Sequence, residues 1–401
     1  MKNILLLLLL PSIAMAQFKN DNVLYKTIYW EQFCKQFPLE KDALLLDVRS
    51  QGEYADTSEN SSLNIGHLKG ATHINITELG KRLSEIDAYK NKPIYLYCSH
   101  SQRSRRCSKM LVDSGFTNVI NVNGGLTDLY LTDQSAVPCK TNLLQTNNVW
   151  QLYNPQQVYG LIKSTPAITI VDVRTDSSFK AISNIEKDKA LGKLKGSINI
   201  PLSQLENSLD KISKANPVLV VDAYGDEAAK AASILSSKGY STIYTAFNGL
   251  DAWLQLNSAQ QKLFGNLVER NIGYNLLDAE AFNTLATAGN AFIIDIRPQE
   301  EFNNKSPEGW RNRGRIKGSE NIPAQTLAST LPSLTKISPI IITGFGNGPE
   351  AYEAAEFLTL KGFKNIYVLT PGVWGLRYRA FNYPNSIELN NWVVDVPEEN
   401  R

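Results

Sequence analysis

Hydrophobic residues in this chain form short continuous runs separated by amphipathic stretches, and this arrangement occurs three times. Each unit opens with an apolar run that ends in Asp-x-Arg, and the three aspartates are Asp47, Asp172 and Asp295. Further runs follow a proline and a Gly-aromatic pair. Short runs that are apolar at every position and bounded by Gly or Pro predict parallel strands buried on both faces. The fold class predicted is α/β, with three tandem domains that each hold a parallel sheet with helices on both faces.

The spacing of the repeated motifs sets the domain boundaries. The units recur at intervals of roughly 125 residues, which suits one compact domain each. We place the domains at residues 17–135, 148–256 and 272–385, followed by a C-terminal tail at 386–401. Connectors are expected near 133–147 and 257–271, because these segments are mostly polar and lack a strand pattern.

Residues 1–16 have the pattern of a secretory signal peptide. A positive start at Lys2 is followed by an apolar run over residues 4–10, and Ala14 and Ala16 supply small residues at a cleavage site. The apolar run is shorter than the roughly 20 residues that a spanning helix needs. The sequence therefore predicts an exported protein without a stable membrane anchor. The periplasm is the expected destination, and secretion to the medium is the alternative.

Composition narrows the functional classes. The 401 residues include 41 basic and 39 acidic side chains, so the net charge gives no reason to expect nucleic acid as a partner. Four cysteines are too few for a scaffold built on disulfides. Cys34 and Cys139 flank the first unit, and in an oxidising compartment they can join its ends. Three histidines without ligand spacing give no metal site, and no cofactor is predicted.

The first unit carries a cysteine at a predicted strand-to-helix turn. The strand over residues 94–97 runs directly into Cys98, and a helical pattern follows. A loop in this place points several backbone N–H groups one way and receives the positive end of the helix dipole. A cysteine at its head should be held as the reactive thiolate. Nearby basic residues should draw anionic substrates toward it, and they are Arg103, Arg105, Arg106 and Lys109.

These features give a set of candidate site residues. Cys98 and Arg103 are assigned as catalytic. The neighbouring loop residues are assigned to substrate binding. His100 is a candidate substrate contact, and the others act chiefly through their backbone amides: Ser99, Ser101, Gln102 and Ser104. In the other two units the position of Cys98 is taken by Asp222 and Gly344. Only the first unit can therefore perform cysteine chemistry.

The motifs of the first unit resemble those of the rhodanese family of sulfurtransferases. The resemblance rests on Asp47-Val48-Arg49, on Gly66-His67-Leu68-Lys69-Gly70-Ala71, on the cysteine loop and on Gly124-Gly125. Arg103 follows Cys98 by five positions, which gives the six-residue loop that the family uses for sulfur transfer. A loop longer by one residue is associated with phosphatase and arsenate-reductase relatives, but position 104 is serine. Family loops often have glycine where Ser101 stands, and a positive φ there would strain a serine.

The resemblance implies a two-step reaction without a cofactor. Cys98 takes the outer sulfur of a small anionic donor such as thiosulfate and forms a persulfide, which a thiol or cyanide acceptor then removes. This interpretation requires a free thiol that solvent and substrate can reach. The alternative is a non-catalytic or sensor protein that binds a protein partner through its two inactive domains, because inactive units of this family serve as interaction domains.

Two further features of the sequence favour structural roles. Cys107 aligns with Ala231 and Ala354 on an apolar helix face, so we expect it in the core. Asp47 and Arg49 recur in the units that lack a nucleophile, which favours a role in holding a strand end.

Overall fold

The computed structural model describes residues 24–132, 134–331, 334, 339–382 and 384–397. The leader predicted at residues 1–16 lies outside this part of the chain. The described residues form three α/β units in tandem. No helix among them is long and apolar enough to span a bilayer.

The first unit contains seven strands and six α-helices. Its strands are β1 (Lys26–Ile28), β2 (Leu44–Asp47), β3 (His67–Leu68), β4 (Thr72–His73), β5 (Ile94–Tyr97), β6 (Val119–Val122) and β7 (Leu144–Gln145). Its helices are α1 (Trp30–Gln36), α2 (Gln51–Tyr54), α3 (Ile76–Leu79), α4 (Gln102–Asp113), α5 (Gly125–Leu131) and α6 (Lys140–Leu143). Short 3-10 helices cover Phe37–Leu39, Ser61–Leu63 and Leu83–Tyr89.

The second unit repeats this order of elements. Its strands are β8 (Gln151–Tyr153), β9 (Thr169–Asp172), β10 (Lys193–Leu194), β11 (Ile198–Asn199), β12 (Val218–Val221), β13 (Ile243–Ala246) and β14 (Val268–Glu269). Its helices are α7 (Pro155–Ser164), α8 (Asp176–Phe179), α9 (Glu186–Leu191), α10 (Asp226–Ser237) and α11 (Ser258–Phe264), with 3-10 helices at Leu202–Lys211, Gly249–Leu254 and Gly265–Leu267.

The third unit follows the same plan. Its strands are β15 (Asn275–Leu277), β16 (Phe292–Asp295), β17 (Arg315–Ile316), β18 (Glu320–Asn321), β19 (Ile340–Thr343), β20 (Ile366–Leu369) and β21 (Val393–Val394). Its helices are α12 (Ala279–Thr287), α13 (Gln299–Phe302), α14 (Leu327–Thr330), α15 (Glu350–Leu360) and α16 (Gly372–Asn382), with 3-10 helices at Gly309–Arg311 and Pro384–Trp392.

Each unit is built on a five-stranded parallel sheet, as the apolar runs predicted. The strand orders are β1-β6-β5-β2-β4, β8-β13-β12-β9-β11 and β15-β20-β19-β16-β18. The central strand of the first sheet is β5, which pairs with β2 in the register Leu45↔Tyr95. All four residues of β5 are buried, because helices cover both faces of a parallel sheet. The loop that leaves β5 therefore starts at the middle of the sheet's carboxyl edge.

The Asp-x-Arg motif fastens the end of a strand in every unit. In the first unit Arg49 Nη2 donates to Asp47 Oδ2 at 2.7 Å and to the backbone oxygen of Gly66 at 2.7 Å. The second and third units repeat these contacts with Arg174, Asp172 and Gly192, and with Arg297, Asp295 and Gly314. All three ion pairs are buried. The structural role expected for this motif is confirmed.

The structure extends each unit beyond the boundary that the sequence predicted. The connector after the first unit contains α6 and β7, and β7 pairs antiparallel with β3. In the same way β14 pairs with β10, and β21 pairs with β17. The segments assigned to connectors and to the tail at 386–401 therefore contribute the closing strand of the preceding unit. Strands of two residues are too short to show an apolar pattern.

The cysteines outside the loop have separate structural roles. Cys34 of α1 and Cys139, which precedes α6, form a disulfide across 105 residues of sequence. Cys107 on α4 is a free thiol that packs inside the core of the first unit, as predicted. Burial, and then the neighbouring Cys98, raise the pKa of the Cys107 thiol to about 12. Cys107 therefore stays protonated near neutral pH.

Candidate active site

The loop after β5 is held by the beginning of α5. The amide of Leu126 donates to the carbonyl oxygen of Cys98 at 2.9 Å, and the amide of Thr127 donates to that of Ser99 at 3.0 Å. Gly125 has a φ of 60°, and a Cβ atom there would lie 2.4 Å from the Cys98 carbonyl oxygen. Only glycine permits this close approach. The glycine pair Gly124-Gly125 thus fixes the backbone on which Cys98 sits.

Ser101 occupies the left-handed conformation that the sequence left open. Its φ is 75°, where glycine is favoured, and the corresponding residue of the second unit is Gly225 with a φ of 94°. The amide of Gly124 donates a hydrogen bond to the Ser101 hydroxyl. A glycine would relieve the backbone strain but would leave that buried amide without this partner. The serine therefore links the loop to α5 at the expense of some strain.

The Cys98 thiol is free but closed off from solvent. Cys98 is 1% exposed and belongs to an apolar cluster that includes Leu46, Val48 and Leu96. The sequence interpretation required a thiol that solvent and substrate reach, and that expectation is wrong for this conformation. Its physical reason is that the head of the loop packs directly onto one face of the sheet. A substrate can reach the sulfur only after the surroundings of the loop move.

The residues assigned to substrate binding divide into two groups. Ser99, Ser101 and Ser104 are buried, at 4%, 1% and 0% exposure, whereas His100 and Gln102 are exposed. Ser104 faces the sheet, where its hydroxyl lies 2.7 Å from Asn121 Oδ1. The buried serines therefore have protein partners, and the side chains that face outward from this loop are those of His100 and Gln102.

Arg103 is clamped by a carboxylate that the sequence interpretation missed. Its guanidinium donates to both oxygens of Glu53 at 2.5 and 2.6 Å, and to the hydroxyl of Ser99 at 2.8 Å. Burial acts to raise the pKa of Glu53, but hydrogen bonds from Arg103 and Ser50 outweigh it and lower the pKa to about 2. The charge of Arg103 is thus matched inside the protein. Its side chain positions the loop by tying Ser99 to α2.

A signal for Glu53 was present in the sequence. An aromatic residue follows the aspartate of the Asp-x-Arg motif by seven positions, as Tyr54 in the first unit and Phe302 in the third. Glu53 and Glu301 directly precede these two residues. Glu301 pairs with Arg311 at 2.8 Å instead, because Pro349 or Glu350 stands where Arg103 would be. The ion pair between this glutamate and an arginine of the cysteine loop is therefore found in the first unit.

The basic entrance predicted from the sequence is weaker than expected. Arg103 is paired with Glu53, and the side chain of Lys109 is paired with Asp113 at 2.6 Å. Arg105 donates to the side chain of Asn123, and burial lowers its pKa to about 10. Three of the four cations expected to draw anions are thus engaged by neighbouring groups.

His100 connects the loop to α5. Its Nδ1 atom lies 2.9 Å from the Ser99 hydroxyl, and its Nε2 atom lies 3.1 Å from the hydroxyl of Thr127. His100 is exposed as a whole residue, but desolvation of its ring by neighbouring atoms, and then the charge of Arg103, lower the pKa of His100. This shift favours the neutral imidazole, whose two ring nitrogens both lie within hydrogen-bond distance of protein hydroxyls.

The second unit shows what the loop amides do. Asp222 stands at the position of Cys98, and its two carboxylate oxygens accept hydrogen bonds from the amides of Gly225 at 2.6 Å and Glu227 at 2.8 Å. The backbone anchors match those of the first unit, because Leu250 and Asp251 donate to the carbonyl oxygens of residues 222 and 223. Loop amides therefore converge on the side chain at this position. Burial nevertheless raises the pKa of Asp222 to about 6, and the amide hydrogen bonds oppose that rise.

The loops that lack the cysteine join the units together. The carboxylate of Asp226, in the second loop, accepts from the amide of Ser61 in the first unit at 2.7 Å. Lys187 of α9 donates to the backbone oxygen of Asn347, in the third loop, at 2.7 Å. It also pairs with Asp251 at 2.9 Å. These loops thus serve as contacts between units.

Comparison with known proteins gives similarity along most of the chain. The family model described as "Rhodanese-like domain" matches residues 35–131, 154–256 and 278–375. The protein YqhL of Bacillus subtilis, strain 168, which has no described function, is 33% identical over 110 residues, covering 27% of this chain and 76% of that protein. The thiosulfate sulfurtransferase GlpE of Coxiella burnetii (strain RSA 331 / Henzerling II) is 29% identical over 86 residues, covering 21% and 70%. A solved thiosulfate sulfurtransferase from Pseudomonas aeruginosa is 15% identical, covers 86% and 66%, and has a TM-score of 0.23.

Proposed function

The chain belongs to the rhodanese-like family, whose domain it carries three times, and from that membership we propose that it is a sulfurtransferase acting through Cys98. Sulfur transfer is the activity named for several relatives, among them the GlpE proteins. The first unit is the one with a cysteine at the head of the loop. The second and third units contribute to packing and to the surroundings of the site.

The observation that carries this proposal is the carboxylate of Asp222. A negative group at this loop position is held by two backbone amides in the second unit. The corresponding amides of the first unit belong to Ser101 and Arg103, and the same backbone anchors hold both loops. Amides that converge on a carboxylate also favour a thiolate, a persulfide anion and the sulfonate group of a donor.

The reaction proposed consists of two displacements at sulfur. The Cys98 thiolate attacks the outer sulfur of thiosulfate, a new S–S bond forms, and the electron pair of the broken S–S bond leaves with sulfite. An acceptor thiolate or cyanide then attacks the outer sulfur of the Cys98 persulfide. The electron pair of that S–S bond returns to Cys98 as thiolate, so neither step needs an external oxidant or reductant.

Activity assays with cysteine variants test the proposal. Purified protein should release sulfite from thiosulfate and form thiocyanate with cyanide, and Cys98→Ala should abolish both. Cys107→Ala is the matched control, because alanine already stands at the counterparts Ala231 and Ala354. Full activity in Cys98→Ala would refute the assignment.

A sensor or binding protein is the second candidate, and the burial of the thiol favours it. Cys98 is 1% exposed, and on this second hypothesis the closed state is one of two states that a partner distinguishes. The two inactive units would then provide the surface for a protein partner. Mass spectrometry after incubation with thiosulfate separates the candidates: one added sulfur atom on Cys98 supports the transferase, and an unmodified Cys98 with a bound protein partner supports the sensor.

We further propose that the protein is exported to the periplasm. The leader pattern of residues 1–16 and the Cys34–Cys139 disulfide both fit an oxidising compartment. Cell fractionation, with thiol labelling of each fraction, tests this proposal. A reduced protein of full length in the cytoplasm would refute it.

A further inference from the structure

A cavity of about 480 Å³ lies where the three units meet. Each unit contributes the N-cap residue that directly precedes its first helix, namely Tyr29, Asn154 and Asp278. Each unit also contributes the residue six positions after the last glycine of its glycine turn (Gly125, Gly249 and Gly372), namely Leu131, Gln255 and Tyr378. Equivalent positions of three repeats thus surround one space. The cavity lies within the usual size range of sites for small organic molecules.

The cavity adjoins the cysteine loop. His100, two residues after Cys98, lies on its wall together with Thr127, to which the imidazole is hydrogen-bonded. Tyr378 reaches the same space from the third unit. Burial raises the pKa of Tyr378, and the charges of Asp128 and Cys98 add to that effect. The loop therefore reaches the cavity wall through His100, whereas Cys98 is not among the described lining residues.

The wall combines carboxylates with aromatic rings. Glu31, Asp128 and Asp278 supply three negative groups. The cation among the described lining residues is Arg379, which is paired with Glu280 at 2.5 Å. The charge of Arg105 acts to lower the pKa of Tyr378, but Arg105 is not among the described residues that line the cavity. This balance of charge disfavours a second inorganic anion.

Aromatic side chains add a second reason to expect a cation. Trp374 is 44% exposed although it lines the cavity, and its ring stacks on that of Tyr378 at 5.2 Å between centroids. The face of a tryptophan ring attracts an ammonium group. A cavity whose wall carries both carboxylates and an exposed indole is therefore suited to a small organic cation.

We propose that this cavity binds the sulfur acceptor, and that the acceptor is a small thiol carrying a positively charged amine. This inference rests on the proposed function. Once the surroundings of the loop have moved, the acceptor thiolate attacks the outer sulfur of the Cys98 hydropersulfide, and the new persulfide keeps the proton of that sulfur. The electron pair of the broken S–S bond returns to Cys98. The amine stays on the side of Asp278 and Trp374, so the inactive third unit selects the acceptor.

Acceptors matched in size and opposite in charge test the proposal. Protein whose Cys98 has been loaded with sulfur from thiosulfate is mixed with cysteamine, 2-mercaptoethanol or 3-mercaptopropionate, and the rate of sulfur transfer to each thiol is measured. Each rate is then divided by the rate at which the same thiol takes sulfur from cysteine persulfide in solution. The corrected rate should be at least tenfold higher for cysteamine than for 3-mercaptopropionate, with 2-mercaptoethanol between them. Equal corrected rates would overturn the proposal.

Variants locate the selectivity in the cavity. Asp278→Asn keeps an N-cap residue and removes one charge, and Trp374→Ala removes the indole. Each should lower the cysteamine preference about fivefold and leave sulfite release from thiosulfate unchanged. Asp176→Asn, an exposed carboxylate outside the cavity that pairs with Lys180, is the control and should keep the preference. A preference that survives both cavity variants would refute the assignment.

A binding measurement separates this inference from the proposed function. Ethanolamine and propionate carry the same charges without a thiol, and saturation-transfer difference NMR with Cys98→Ala detects their binding. Ethanolamine should give a signal that Trp374→Ala abolishes, and propionate should give none. Absence of sulfite release would overturn the sulfurtransferase, whereas absence of the ethanolamine signal would overturn the cation site alone.

Discussion

Replacement of Arg103 by lysine distinguishes a positioning role from a donor-binding role. Lysine keeps the positive charge, but one ammonium group cannot bridge both oxygens of Glu53 and also reach Ser99 as the guanidinium does. At least one charge-assisted hydrogen bond to Glu53 and the bond to Ser99 should be lost. Each such bond is worth about 1.5–3 kcal/mol, and Glu53 is only 4% exposed while Arg103 is 27% exposed. Partial solvation of the arginine reduces the total, so we expect about 2 kcal/mol of lost stability in the first unit.

The kinetic consequence follows from the position of Ser99. Ser99 lies next to Cys98, and the loop should lose its fixed geometry when its tie to Glu53 is released. We expect kcat to fall about tenfold, which corresponds to about 1.4 kcal/mol in the barrier, while KM for thiosulfate changes less than about threefold. The assay is steady-state sulfite release over a range of thiosulfate concentrations, with urea unfolding of the same samples.

A matched variant is available in the third unit. Arg311→Lys alters an arginine–glutamate pair at Glu301, the counterpart of Glu53, in a unit without a thiol. It should leave both kcat and KM unchanged. If Arg103→Lys raised KM tenfold and kept kcat, Arg103 would bind the donor directly and the positioning role would be refuted. Unchanged kinetics and unchanged stability would show that the clamp contributes nothing.

Three further outcomes are expected from the structure. The pKa of Glu53 is lowered to about 2 from its ordinary 4.5, so the contribution of Glu53 to stability is complete above about pH 4.5 and is lost as the pH falls toward 2. Urea unfolding between pH 6 and 3 should therefore show a smaller loss of unfolding free energy in Glu53→Gln than in the wild type. Parallel losses in the two proteins would contradict this. Removing the disulfide with Cys34→Ala and Cys139→Ala should destabilise the protein by about 4 kcal/mol, because the bridge closes a loop of 105 residues; a midpoint of denaturation equal to that of the oxidised wild type would exclude this. Ser101→Gly should cost about 1 kcal/mol despite relief of the positive φ, because the Gly124 amide loses its partner; a gain in stability would show that backbone strain is the larger effect.

The sequence predicted the repeated sheets because their evidence is local. Runs such as residues 94–97 are apolar at every position, and burial on both faces makes that pattern unambiguous. The Cys98 loop was located for the same reason, since strand, loop and helix follow directly in sequence. The Glu53 clamp was missed because it joins residues fifty positions apart. The closing strands β7, β14 and β21 were missed because two residues carry no periodicity.

The burial of Cys98 could not be predicted from its neighbours in sequence. Loop residues are exposed in general, and the serines around Cys98 are polar. The loop nevertheless packs onto the sheet, because Gly125 lets α5 approach its backbone closely. The cavity was equally hidden, since its walls come from three units whose mutual arrangement no local pattern encodes.

The hydrogen bond from Ser61 to Asp226 limits what protein engineering can recover from the second unit. A cysteine in place of Asp222 would enter a loop in which Asp226 already accepts a hydrogen bond from Ser61 of the first unit. That hydrogen bond fixes the second loop against the first unit. A second catalytic centre would therefore require two changes, a cysteine at position 222 and a new contact between the first and second units in place of the Ser61–Asp226 hydrogen bond. Evolution toward activity in the second unit would require the same two changes.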